Sequence, residues 1–185
     1  MEENLYAPPK AVVADVASIE NDAAVRFFAV SPLKLVVLSV CTLGFYQIYW
    51  FYQHWVLIKK HSEPDIIPWA RAVFGIFWCY SCFEFIREDD RHLEVEPPLP
   101  AGPLAAGWIA ASLAWRVPAP YDLIGLVTPL LLVPVQRHVN HINALVAPHH
   151  DKNTRFSAWN WLALAGGVIL FGLIMLGLSQ PDPPR

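Results

Sequence analysis

The sequence has few charged residues for its length, and this shortage limits the classes of protein that it can encode. Charged side chains make up 16% of the 185 residues, whereas 55% are hydrophobic. A soluble domain usually carries about a quarter charged residues. The formal net charge of −3 also gives no indication of a basic surface for nucleic acid. The composition therefore predicts a membrane protein.

Motifs that mark common enzyme sites are also absent. The sequence contains no glycine-rich phosphate loop, no G-x-S-x-G and no H-E-x-x-H. Its three cysteines, Cys41, Cys79 and Cys82, fall in predicted helices, and an odd number does not suggest a disulfide framework. The acidic start, Met1–Asn4, lacks the positive region of a secretory signal. We predict no enzymatic activity, no cofactor and an uncleaved first anchor.

The stretch from Leu33 to Ile58 is the first long apolar segment, and its only formal charge is Lys34. A helix of about 20 residues covers the roughly 30 Å hydrocarbon core of a bilayer. The second half is rich in Tyr and Trp, which favour the membrane interface, and two lysines follow it. We therefore predict a spanning helix that ends in an interfacial belt. The belt comprises Tyr46, Tyr49, Trp50, Tyr52 and Trp55.

Further apolar segments predict an all-α fold, an integral membrane bundle of four to five transmembrane helices. The spans are predicted at residues 33–58, 66–86, 103–116, 120–136 and 159–178. They belong to one membrane domain, residues 23–179, between a disordered tail at 1–22 and a short tail at 180–185. The 66–86 segment could instead be interfacial or re-entrant. The two spans that follow it could form a tight hairpin, or one of them could be re-entrant.

The loops between these spans set the predicted orientation. Residues 87–103 are acidic and then proline-rich, and we predict a loop there. With five spans, Lys and Arg are more frequent on the side that carries the N-terminus. The positive-inside rule then predicts a cytoplasmic N-terminus.

Small residues at helical spacing indicate where helices pack closely in lipid. One predicted ridge consists of Gly102, Ala106, Ala110 and Ala114. A second, shorter face is formed by Ala163 and Gly167.

Gln136, Asn140 and Asn143 are spaced four and three residues apart, so they form one polar stripe on a helix. Polar side chains in membrane helices usually form hydrogen bonds that hold helices together. The other interpretation is the lining of a substrate path. We rank the stripe first among the candidate sites.

A histidine cluster is a second candidate site. His138 and His141 are three residues apart on a helix and could reach one metal ion, and His149 and His150 follow in a loop with Asp151. A histidine–aspartate set would suit Zn²⁺ and a membrane enzyme. Ordinary amphipathic histidines at a membrane interface explain the same pattern, so we predict no bound metal.

Two other pairs have a simple structural interpretation. Cys79 and Cys82 share their spacing with redox motifs, but they lie in the middle of a predicted helix among apolar residues, where thiols are inert. Glu84 and Arg87 are three residues apart and are expected to pair at a helix end.

The segment Thr42–Tyr52 (TLGFYQIYWFY) resembles the mark of a family of small bacterial multi-pass membrane proteins. The family is known only as a domain of unknown function, and its members share an apolar helix that ends in T-L-G-x-Y-x-x-Y-W. Residues Asn4–Pro9 also resemble a tail common in bacterial membrane proteins. The resemblance covers residues 27–86 and, more loosely, 136–143. It implies a bacterial inner-membrane location and no catalytic or binding residue.

These observations predict a small non-enzymatic integral protein of the inner membrane. We expect an accessory or immunity-type protein that acts through helix–helix contacts with a membrane-protein partner or a second copy, in a lipid bilayer and without nucleic acid. The alternative is a small transporter or channel with a polar path near Gln136, Asn140 and Asn143.

Overall fold

The computed structural model describes residues 25–62, 65–117, 125 and 127–178, without the side chains of residues 115, 174, 175, 177 and 178. The predicted tails at 1–22 and 180–185 lie outside this part. The described chain is helical and contains no strand, which confirms the all-α prediction. Its helices are α1 (Pro32–Cys41), α2 (Phe45–His61), α3 (Pro68–Val73), α4 (Gly75–His92), α5 (Ala101–Leu113), α6 (Thr128–Val146) and α7 (Ala158–Leu178).

The predicted span at 33–58 is two helices, so the prediction of one unbroken helix is wrong. The break lies at Thr42–Gly44, where Leu43 and Gly44 have positive φ angles of 50° and 92°. Glycine adopts such an angle at little cost, and it commonly ends a helix. The Thr42 hydroxyl donates to the Leu38 carbonyl (2.6 Å) and accepts from the Tyr46 N–H (3.0 Å). The Thr42 side chain thus binds the last turn of α1 and the first turn of α2.

The predicted span at 66–86 is also divided, and its end was placed too early. Phe74 separates α3 from α4, and α4 continues to His92. Residues 87–92 are therefore helical, which corrects the predicted start of the loop. Arg87 pairs with Glu84 within this extension, as the sequence predicted.

The later predicted spans agree better with the structure. The span at 103–116 corresponds to α5 and a 3₁₀ turn, Ala114–Arg116, and the span at 159–178 corresponds to α7. The span at 120–136 was ended too early, because α6 runs from Thr128 to Val146. Its predicted start lies outside the described residues, which do not include 118–124 and 126. Among the described residues, no helix is both long enough and apolar enough to cross a membrane.

The core lies around α2, which packs against α3, α4 and the N-terminal segment, residues 25–30. The buried residues of α2 recur at helical spacing and include Trp50, Phe51 and Trp55. Trp50 and Trp55 are fully buried, so the predicted interfacial belt is wrong for these two residues. Tyr49 and Tyr52 are exposed and Tyr46 is partly exposed, as a belt requires.

The small-residue ridge of α5 lies mostly outside the core of the bundle. Ala106 and Ala110 are exposed, Gly102 is partly exposed, and only Ala114 is buried. The inward side of α5 consists of Ala101, Ala105, Trp108 and Ala111. Sequence spacing alone does not show which side of an apolar helix faces the core.

The Ala163/Gly167 face behaves as predicted at Gly167. This residue is buried against α1, and a Cβ atom there would overlap the carbonyl group of Cys41. Ala163 is partly buried on the same side of α7. The absence of a side chain at Gly167 therefore lets α7 approach α1 closely.

Candidate functional site

A chain of buried hydrogen bonds begins at Gln47, near the start of α2. The Gln47 amide nitrogen donates to the Thr128 hydroxyl (2.9 Å), and its oxygen accepts from the Trp108 indole N–H (2.9 Å). The Thr128 hydroxyl in turn donates to the Gly125 carbonyl (2.8 Å). One side chain therefore joins α2, α5 and α6. All of its polar atoms are satisfied, as a buried amide requires.

A second set of hydrogen bonds is centred on Gln136 of α6. Its side-chain oxygen accepts from the Trp50 indole N–H at 2.5 Å. Its nitrogen donates to the Phe28 carbonyl (3.0 Å) and to the Asn140 side-chain oxygen (2.9 Å). Asn140 then donates to the Val30 carbonyl (3.0 Å). These contacts attach the N-terminal segment, residues 25–30, to α6.

Asn143 completes the attachment one turn later. Its oxygen accepts from the N–H groups of Arg26 (3.1 Å) and Phe27 (3.2 Å), and its nitrogen donates to the Phe27 carbonyl (2.8 Å). The three residues of the predicted stripe thus lie on one side of α6, and each of them binds the backbone of the N-terminal segment. This use favours the structural interpretation of the stripe over a substrate path.

His54 is a buried residue of this region that the sequence analysis did not single out. Its ring lies 4.0 Å from the Trp50 ring, centroid to centroid, and within 6.3 Å of the Phe27 and Phe28 rings. Its Nδ1 atom is 3.0 Å from the Trp50 carbonyl oxygen. A polar residue inside an otherwise apolar segment was the signal available for both His54 and Gln47.

An ionisable pair, a buried aspartate and a partly exposed histidine, joins α4 to α6 at the other end of the bundle. Asp90 Oδ1 lies 2.7 Å from His138 Nε2, and Asp90 Oδ2 accepts from the Leu99 N–H at 2.9 Å. The aspartate is fully buried. It fixes the loop between α4 and α5, beside a cavity of about 720 Å³. The sequence predicted a loop at Asp90, so a contact between this residue and a helix histidine was not predicted.

The predicted histidine cluster is not assembled as one site. His138 faces Asp90, and His150 is buried with Nδ1 2.6 Å from the Ala147 carbonyl oxygen. His141 and His149 are exposed. Across the described ranges, no three His, Cys, Asp or Glu side chains form a group that could hold a metal ion.

The Cys79–Cys82 pair lies in the middle of α4, with both thiols free and buried. This position matches the apolar interpretation of the pair.

Asp89 lies near the C-terminal end of the same helix. Burial raises the pKa of its carboxyl group, and the positive charge of Arg26 opposes this shift.

Outside the core, many large apolar side chains of the described chain are exposed. An open cavity of about 330 Å³ lies between α2 and α3, lined by Phe45, Tyr52 and Trp69 among others. On α7, Trp159 is 79% exposed and Phe171 is 52% exposed. Scattered exposed apolar residues are normal, whereas contiguous ones indicate an interaction surface.

The fold and the hydrogen-bond network define a class: an all-α bundle with a polar network inside and large apolar side chains outside. No family model, curated protein or solved structure matches the chain.

Proposed function

We propose that this chain is a small non-enzymatic protein embedded in the bacterial inner membrane, where it acts through helix–helix contacts as an accessory or immunity-type protein. The observation that carries the proposal is the exposed surface of α7. Leu162, Val168, Ile169 and Leu173 are each at least 60% exposed, and α7 contains no charged residue. Such a surface is stable in lipid or against another apolar helix, and costly in water.

The inside of the bundle supports the same proposal. Gln47, Gln136 and Asn143 have their side-chain polar atoms engaged in internal hydrogen bonds. Membrane helices commonly use amide side chains in this way. The polar groups therefore hold the bundle together, and the outer surface is left for lipid and for a partner. Membership of the family that shares the T-L-G-x-Y-x-x-Y-W segment is part of the proposal.

Membrane fractionation tests the first half of the proposal. Full-length protein is expected in the membrane pellet, to resist a carbonate wash and to be released by detergent. A monodisperse protein in detergent-free buffer would refute the membrane environment.

Site-specific photocrosslinking tests the second half. A photoreactive amino acid is placed at Leu162 or Ile169 on α7, and at Arg91 on the charged end of α4 as the matched control. The α7 positions are expected to give one reproducible adduct in native membranes, either with a second protein or with a second copy. Recovery of the uncrosslinked monomer alone from both α7 positions would contradict the contact-based function.

A further inference from the structure

Charge is distributed unevenly along three of the helices of the bundle, α2, α4 and α6. In α2, Lys59 and Lys60 come after a charge-free stretch, residues 45–58. In α4 the charges begin at Glu84, after the charge-free residues 75–83, and in α6 Arg137 is the only charge. In each helix, therefore, the first half is uncharged and the charges lie in the second half.

The charged second halves of these helices meet. His138 of α6 contacts Asp90 of α4 at 2.7 Å. His61 of α2 and Asp89 of α4 line the same cavity. Arg26 lies 4.0 Å from Asp89. We call this region the charged end.

The first halves meet at the opposite end. Gln47 of α2 bonds to Thr128 of α6, and a Cβ atom on Gly75 of α4 would lie 3.7 Å from the Phe51 ring of α2. The outward side chains here are large and apolar. They include Phe45 (69% exposed), Phe77 (77%) and Leu130 (54%). We call this region the apolar end.

Two described arginines lie outside the charged end. The guanidinium group of Arg71 is stacked between aromatic rings, 4.6 Å from the Trp55 ring and 4.4 Å from the Trp78 ring. This contact shields its charge from an apolar medium. Arg116 is exposed on the 3₁₀ turn and is the remaining charge near the apolar end within the described part.

The backbone at the apolar end supplies an independent observation. In the turn between α1 and α2, the N–H groups of Thr42, Leu43 and Gly44 donate to Leu38, Val40 and Ser39 carbonyls at 2.8–3.1 Å. The N–H groups of Phe74 and Phe77 are bonded in the same way at the start of α4. Backbone groups in hydrocarbon must be satisfied by the protein, because no water is available there. These turns meet that condition.

We propose that the bundle enters the bilayer from one side, with its apolar end immersed in hydrocarbon and its charged end in water on the cytoplasmic face, where the positive-inside rule places Lys and Arg. At 17 residues, α2 is about 25 Å long at the helical rise of about 1.5 Å per residue. It therefore enters a hydrocarbon core of about 30 Å without crossing it. This inference rests on the proposed membrane environment. It replaces the five-span arrangement, which puts Lys59 on the opposite side from Arg91.

Cysteine accessibility tests the proposal in the full chain. In a Cys41→Ala background, single cysteines are introduced at exposed positions of each end, and cells are converted to right-side-out or inverted vesicles. A membrane-impermeant maleimide then reports which positions contact water on each face. The charged-end variants are Lys60→Cys, Arg91→Cys and Lys152→Cys, and the apolar-end variants are Phe45→Cys, Phe77→Cys and Leu130→Cys. Lys152 is exposed in the loop after α6, and the neighbouring Asn153 side chain donates to the Ala29 carbonyl (3.1 Å) of the N-terminal segment that carries Arg26. The Cys41→Ala background alone controls for the buried Cys79 and Cys82.

The expected result is labelling of all three charged-end positions in inverted vesicles only. The apolar-end positions should stay unlabelled in both vesicle types and react after detergent is added. Labelling of Phe45→Cys or Leu130→Cys from the periplasmic face would overturn the one-sided insertion while leaving the membrane environment intact. Recovery of the chain in the soluble fraction would instead refute the proposed function itself.

A second measurement tests whether the apolar end contacts lipid acyl chains or another protein. A bimane fluorophore is attached at Phe45→Cys or Arg91→Cys, and the protein is reconstituted into phosphatidylcholine vesicles brominated on the acyl chains. Severalfold stronger quenching at Phe45→Cys than at Arg91→Cys is expected. Equal quenching at the two positions would contradict immersion of the apolar end in lipid.

Discussion

Helices α2 and α7 both carry large apolar side chains, including two tryptophans each, but they have opposite roles in the structure. In α2, Trp50 and Trp55 are fully buried, and Trp50 donates a hydrogen bond to Gln136. In α7, Trp159 and Trp161 are exposed, and one glycine makes the close contact with α1. Apolar composition therefore does not tell whether a helix packs inside a bundle or faces the medium around it. The polar residues within α2, Gln47 and His54, do distinguish them.

The largest expected difference is between two tryptophan substitutions. Trp50→Ala should destabilise the bundle by about 3–5 kcal/mol, because it leaves a large cavity. It also leaves the buried Gln136 oxygen without the indole donor. Trp159→Ala removes a side chain of the same size from the α7 surface and should change stability by less than about 0.5 kcal/mol. Denaturant unfolding in detergent micelles measures both, and equal effects would contradict the contrast between the helices.

The second-largest effect is expected when the N-terminal segment loses its hydrogen bonds to α6. Asn143→Leu keeps the side-chain size but removes the groups that bind the backbone of Arg26 and Phe27. Leaving such groups unpaired costs about 1–3 kcal/mol. Amide hydrogen exchange at Phe27 should rise severalfold. His141→Leu, at an exposed position of the same helix, is the control, and unchanged exchange in Asn143→Leu would show that the stripe does not hold this segment.

Gly167→Ala tests the contact between α7 and α1. The new methyl group would meet the Cys41 carbonyl, which is backbone and has little freedom to shift. Overpacking of this kind costs about 1–3 kcal/mol, and we expect the lower value because α7 can move outward. Faster hydrogen exchange in α7 is the measurement. Gly166→Ala, with no atom within 4 Å of the new Cβ, should leave exchange unchanged, and an equal effect of both would argue against a specific contact.

The sequence was sufficient to predict the helical class, because apolar segments of this length favour helices. It also predicted the Glu84–Arg87 pair and the position of α7. The helix break at Gly44 was not predicted, since it depends on a left-handed backbone and on the bonds of Thr42. A glycine within an apolar run was the signal that was available.

The site was predictable in its members but not in its partners. The spacing of Gln136, Asn140 and Asn143 placed them on one side of a helix, and the structure agrees. All three side chains bond to backbone atoms of residues 26–30, more than 100 positions away in the chain, and Gln136 also bonds to the Trp50 side chain. The same limit applies to Asp90 and His138. No local pattern encodes a contact between distant helices, so tertiary packing decided both.

The smallest expected effect concerns Asp89, at the charged end of α4. Burial raises the pKa of this carboxyl group above its ordinary value of 3.8. The folded state therefore binds the proton more tightly than the unfolded state. The resulting stability is fully present below pH 3.8 and is lost as the pH rises through the folded pKa. Asp89→Asn should match or slightly exceed the wild type at pH 7, and lose this advantage on acidification.

Unfolding midpoints of the wild type and Asp89→Asn, measured in micelles across a pH series, give the comparison. Glu88→Gln is the matched control, because Glu88 is an exposed neighbour on the same helix. Its difference from the wild type should not vary with pH in the same way. A wild-type advantage that grows toward neutral pH would show that attraction to Arg26 at 4.0 Å outweighs the cost of burying the charge. The charged end would then be held together partly by ion pairing, whereas α2 is held by packing and α7 by its contact with α1.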